Sequence, residues 1–140
     1  MQGHLTIDGQ DAWTNFGFVV RPGSMEHWLL LPETKEPFSH DWKDENGIEV
    51  DLSNVYLKDK KVSFKACFIA DSEAGFWSKY NALFSLLKST GLRSVYYREL
   101  NKTFRVYYTR SSDPRMVKGL RNRDLIVFEM TIHFTMPDPV

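Results

Sequence analysis

The strongest constraint on this chain is a period-two hydrophobic pattern that is interrupted once by a helical one. Val62, Phe64, Ala66 and Phe68 alternate with Ser63 and Lys65, and Ile126, Phe128, Met130, Ile132 and Phe134 alternate with Glu129, Thr131 and His133. Successive strand residues point to opposite faces, so 61–70 and 125–134 read as strands with one buried face each. Between them, Phe76, Trp77, Tyr80, Leu83, Phe84 and Leu87 recur at spacings of one, three and four. That spacing gathers six large side chains on one wide face of a helix over about residues 72–89. Asp71 or Ser72 can cap its first amides, Glu73 suits the positive end of its dipole, and Gly91 can take the left-handed conformation just past its end. Full burial of the six contributes on the order of 10 kcal/mol gross, so such a helix must cover a sheet or plug a barrel.

Shorter signals fill in the rest. Phe16, Phe18 and Val20 alternate ahead of Arg21-Pro22-Gly23, which predicts a short strand closed by a turn. His27 to Leu31 is an apolar run ended by Pro32, and 32–38 reads as a loop. Asn46-Gly47, before the alternating Ile48, Val50 and Leu52, suits a tight hairpin turn. Residues 93–98 and 103–109 flank Glu99-Leu100-Asn101-Lys102 as a second hairpin, with Phe104, Val106 and Tyr108 on one face. The polar, basic stretch 111–123 reads as a long exposed loop. Strands around a single helix indicate an α+β, mainly β fold: an antiparallel β-sandwich or split barrel with the amphipathic helix packed against it. At 140 residues, 1–140 is expected to form a single domain.

Charge narrows the function classes. Eighteen basic and eighteen acidic residues cancel, which disfavours a uniformly basic nucleic-acid binder, because neutralising phosphates needs surplus cations. The cancellation conceals a polarity. Met1 to Asp59 holds eleven acids and four bases, a charge of −7, whereas Lys88 to Arg123 holds ten bases and two acids, +8. The apolar runs, such as Trp28 to Pro32, are too short for a helical membrane span. No basic segment followed by an apolar stretch opens the sequence, so no secretory leader is expected. The single cysteine, Cys67, excludes an internal disulfide and fits a reducing compartment.

Catalytic and metal signatures are missing. Asp41, Asp44, Glu45, Glu49 and Asp51 invite a calcium-loop reading, but aligning Asn46-Gly47 with that loop's turn puts Trp42 at its first ligand position, where an oxygen is needed. His4, His27, His40 and His133 lack metal-ligand spacing, and Cys67 reads as a strand filler. No nucleophile elbow, P-loop or dinucleotide fingerprint occurs. Tyr96, Tyr97, Arg105 and Tyr107 interleave aromatic and cationic side chains, the one pattern that suits a small β-barrel module binding single-stranded nucleic acid or glycan. Trp13, Trp28 and Trp42 offer a sugar-binding surface with no spacing to support it.

The order Asp41-Trp42, Asn46 to Asp51, Val62 to Ala70, Phe76 to Phe84, Leu87 to Gly91 and Tyr97 to Tyr108 resembles phage tail components, especially the N-terminal domain of distal tail proteins of siphophages and prophages. The resemblance runs from about Phe16 to Phe134 and rests on the succession of elements. It implies a structural protein of the virion tail, made in the bacterial host cytoplasm, with no catalysis and no cofactor. Its partners would be copies of itself in a ring, usually a hexamer, and other tail proteins such as tube and baseplate subunits. Neither a membrane nor specific nucleic-acid binding is implied. Larger members carry a carbohydrate-module-like C-terminal domain; this sequence ends at Val140, so a receptor-binding role of its own is not expected.

A ring repeats one heterologous contact, so each copy needs two complementary surfaces. The acidic Asp41, Asp44, Glu45, Glu49 and Asp51 and the basic Arg98, Lys102, Arg105, Arg115, Lys118, Arg121 and Arg123 are the candidates for them. The same charges could instead meet within one subunit as cross-strand ion pairs.

Overall fold

The computed structural model describes residues 2–40, 47, 49–118 and 125–139. Asp41, Trp42, Asp44, Glu45, Arg121 and Arg123 lie outside the described residues. The elements follow in chain order: β1 (Leu5–Ile7), β2 (Gln10–Asp11), α1 (Ala12–Phe16), β3 (Phe18–Val20), a 3-10 turn (Glu26–Leu29), β4 (Phe38–His40), β5 (Glu49–Asp51), β6 (Lys60–Ala70), α2 (Glu73–Leu87), β7 (Arg93–Tyr97), β8 (Lys102–Lys118) and β9 (Ile126–Met136). Seven strands form one antiparallel sheet in the order β2-β1-β7-β8-β9-β6-β3, and β4 pairs only with β5.

The sheet curls because β8 serves two halves. Its residues Lys102 to Val106 pair with β7, and from Tyr107 onward it pairs with β9. Five strand spacings separate β1 from β3, about 24 Å in a flat sheet. Yet the Val20 amide donates to His4 Nε2, just before β1, over 3.3 Å. The ends of the sheet have therefore curled round to meet through a side chain, and no ladder closes them into a barrel. This open, curled sheet is the mainly antiparallel α+β architecture expected.

Register places the apolar alternants together. Phe18 pairs with Phe68, Phe64 with Ile132, Val62 with Phe134, Val95 with Phe104 and Leu5 with Tyr97, so all face the inside. Trp28 fills the centre. Its ring lies 5.0 Å from Phe104, 6.0 Å from Phe134 and 6.3 Å from Phe64, and its indole N–H donates to the Ser63 carbonyl at 2.9 Å. A buried Trp must satisfy its one donor as well as its area, and this one does both.

Helix α2 starts where the sequence indicated, with Ser72 Oγ accepting from the Gly75 amide. It packs on the inner face at Phe68 and Phe128, through Phe76 and Tyr80. The expected six-residue core face is narrower than predicted. Phe76, Leu83 and Leu87 are buried and Tyr80 is half-buried, but Trp77 and Phe84 stand 41% and 49% exposed. At about 100° per residue, the buried trio spans about 40°, while Phe84 and Trp77 lie about 80° and 100° round from Phe76, past the edge of the sheet.

Other expectations need correction. Phe16 belongs to α1 and not to a strand with Phe18 and Val20. Asp11 caps α1, accepting from the Thr14 and Gly3 amides at 2.8 and 2.6 Å. Burial alone would raise its pKa, but these hydrogen bonds outweigh that and hold the carboxyl below its usual range. Gly17 ends α1 at φ 69°, a left-handed conformation that favours glycine. The apolar run His27 to Leu31 begins inside the 3-10 turn Glu26–Leu29, and of its residues only Trp28 is buried. The stretch 111–118 is not loop but the far half of β8, bent by register shifts after Tyr108, Ser112 and Met116.

Trp28→Ala should cost about 3–5 kcal/mol in chemical denaturation. Trp28→Phe, which keeps most packing but leaves the Ser63 carbonyl without its donor, should cost about 1–3 kcal/mol.

Candidate assembly surfaces

Three surface features remain after the core is accounted for. The first is a two-stranded arm. Lys35 N donates to the Tyr56 carbonyl and Lys58 N to Glu33 O, each at 2.7 Å, and Thr34 bridges Leu57. Further out, His40 pairs with Glu49 and Phe38 with Asp51. β4 and β5 pack principally on one another. No side chain described between Leu29 and Asp59 is buried, and Leu31, Leu52, Val55 and Tyr56 are all strongly exposed. The arm's root is held by Lys60, whose ammonium donates to the carbonyls of Trp28 (2.7 Å) and Leu30. Burial, and then the Lys102 charge, keep that ammonium's pKa below its ordinary value. Gly47 has the positive φ expected of a turn residue, 79°.

The second is the free edge of β8. Beyond Val106 the strand has a partner on one side only. Pro114, which has no amide proton, and Arg110, Arg115 and Lys118 lie along it, and Asp113 takes the left-handed φ of 53°.

The third is the outward face of β6, β9 and this part of β8. Register puts Arg115 opposite Glu129, Ser112 opposite Thr131, Arg110 opposite His133 and Tyr107 opposite Thr135. Glu129 is 3% exposed despite facing away from the core. Arg21 covers it with an ion pair of 2.6 Å, and Lys65 approaches its other oxygen at 3.5 Å. That arrangement ties the end of β3 to β9 across β6. Next to it, burial and then the Glu129 charge push the Cys67 thiol up, against a smaller opposing effect of Arg21, which disfavours its thiolate. Asp59, Lys61, Ser63, Tyr107, Thr109 and Arg110 line a groove of about 540 Å³.

His133 is in the same row, with Nε2 2.6 Å from Ser112 Oγ. Ser112 also lies 3.1 Å from Asp113 Oδ2, to which its single hydroxyl proton is donated. The imidazole then donates to the serine, the reverse of the polarity a general base needs. Desolvation, and next the Arg110 charge, lower the His133 pKa, with Asp113 opposing.

The expected basic residues fall into two groups. Arg98, Lys102 and Arg105 belong to the β7–β8 hairpin, where Arg105 Nη1 bonds Ser94 Oγ at 2.6 Å and Lys102 Nζ sits 5.4 Å over the Phe104 ring. Arg115 and Lys118 are on the free edge of β8, all exposed. Glu49 and Asp51 are on the arm. Of the residues of the alternative stacking platform, Tyr97 faces the core and is buried, whereas Tyr96, Arg105 and Tyr107 share the opposite face, because neighbouring strand residues point opposite ways. Trp28 is likewise taken from any sugar-binding surface by its burial. Among the described residues no three His, Cys, Asp or Glu side chains group as a metal site, and no helix is long and apolar enough to cross a membrane.

No family model and no curated protein matches the sequence. Solved structures do. The fold is that of the SPP1 Dit protein, described as a paradigm of the hub adsorption apparatus in phages infecting Gram-positive bacteria. The match covers 97% of this chain and 50% of that one, with a TM-score of 0.70 and 15% sequence identity. This chain thus spans half the length of Dit, and the resemblance read from its order of elements holds at the level of the fold.

The depressed His133 pKa has a definite consequence. The unfolded chain takes up this proton near the ordinary value of 6.5 and the folded one only at lower pH. Stability contributed at neutral pH is therefore lost as pH falls from about 6.5 through the native value. Denaturation curves collected across that window should show this slope, and His133→Gln should remove it.

Proposed function

We propose that this chain is a structural subunit of a phage or prophage tail, of the distal tail type. In this reading it assembles with copies of itself into a ring, a hexamer by the family's usual count, at the junction between tail tube and baseplate. The observation that carries the reading is the fold shared with Dit over 97% of the chain. Dit is described as part of a hub, and a hub subunit needs surfaces for its neighbours. Two features support this reading: an arm with exposed apolar side chains and a separate basic edge. The whole of 1–140 serves as one tail-protein-like domain with no catalytic residues, acting in the virion tail after synthesis in the host cytoplasm.

The binding-module alternative has lost its strongest support, because Tyr97 is in the core. Self-association through charged surfaces is sensitive to salt, since the Debye length falls from about 8 Å at 0.15 M to about 3 Å at 1 M. Sedimentation at low salt should show a concentration-dependent oligomer that weakens toward 1 M, with rings in negative-stain micrographs. A monomer at every concentration and ionic strength overturns the proposal.

A further inference from the structure

The outward face of β6, β9 and the free part of β8 has a net positive charge. Lys61, Lys65, Arg110, Arg115 and Lys118 lie on it, and its one buried carboxylate, Glu129, is already engaged by Arg21 and Lys65. Among the described residues, Lys61, Arg110, Arg115 and Lys118 form no ion pair. Lys61 and Arg110 line the 540 Å³ groove against a single lining carboxylate, Asp59, and Ser63 and Thr109 add short hydroxyl side chains to its wall. The side chains of Lys61, Arg110, Arg115 and Lys118 on this face are exposed.

The chain itself holds the opposite charge. Among the described residues from Glu33 to Lys58, the arm has four acidic residues and two basic ones, with Glu33 paired to Lys58 at 3.8 Å. Its described side chains are all at least partly exposed. The arm is rooted at the groove's rim, where Asp59 follows Lys58. A ribbon stiffened by the Thr34–Leu57 bridge and the Lys35–Tyr56 hydrogen bond cannot turn back into the groove at its own root without breaking them.

We infer that this cationic groove receives the acidic β4–β5 arm of a second copy of the chain. The inference rests on the ring reading and specifies its contact: one arm and one receiving face per copy, a heterologous interface that can close on itself. It assigns the contact to Lys61 and Arg110 and away from the β7–β8 hairpin, where Arg105 is already held by Ser94.

Charge reversal on the full chain tests it by sedimentation. Lys61→Glu with Arg110→Glu leaves a copy with an acidic arm and an acidic groove. Glu36→Lys with Glu49→Lys makes the arm less acidic and leaves the groove basic. Each protein alone should self-associate about a hundredfold more weakly than wild type, the scale of close interfacial charge pairs. An equimolar mixture should recover assembly to within about tenfold of wild type, which also shows that both variants are folded. If the groove variant assembles like wild type while the arm variant does not, the arm docks elsewhere and only this inference falls. A wild type that never assembles removes the ring reading beneath it. Fluorescence anisotropy with a single-stranded oligothymidine gives the remaining outcome. Binding abolished by the groove variant with self-association intact would make this face a nucleic-acid surface and overturn the inference.

Discussion

Trp28 is the point on which the fold turns. Its ring touches aromatic side chains of β6, β8 and β9, and its N–H is bound by the β6 backbone. A sheet whose two halves share one strand has no ladder to hold its ends together, and a large rigid group between the halves supplies that hold. The same residue sits in the 3-10 turn whose carbonyls Lys60 grips. The interior is thereby coupled to the root of the arm: what seats Trp28 also sets where the arm leaves the sheet.

The outward face follows the opposite logic. Glu129 is a carboxylate in a strand whose other side is the core, and its burial is tolerable only because two cations neutralise it. Those cations are themselves substantially exposed, so the cluster spends one negative charge and leaves the face basic. Chain polarity along the sequence becomes polarity in space only in part. Arg93 pairs with Asp8 at 2.8 Å within the subunit, and Arg98, Lys102 and Arg105 are on a different hairpin from Arg110, Arg115 and Lys118.

The elements legible in the sequence are those with one dry and one wet side. β6 and β9 alternate cleanly because each is flanked by strands on both edges, so only the two faces differ. α2 was legible in its bounds and less so in its width, because periodicity reports that side chains share a sector and not how far the covering sheet extends; hence the exposure of Trp77 and Phe84. The far half of β8 was illegible for a related reason. With one edge free and register shifts along it, its residues meet solvent almost whatever their parity, and Ser111 to Lys118 looks like loop. α1 and β3 are too short for either period to show. Among the candidate assembly residues, type and sign could be read from the sequence, but the division of the bases between the two halves of β8 and the meeting of Lys61 and Arg110 in one groove come only from pairing through β9.

The guarded edge of β8 restricts the kinds of partner the protein can take. Sheet growth needs a regular row of amide donors and carbonyl acceptors, and Pro114 removes one donor while three register shifts spoil the spacing of the rest. A strand arriving there finds no template to zip along. Fibrous polymerisation through this edge is discouraged, and any contact made there is left to side chains, whose grip can be formed, tested and released.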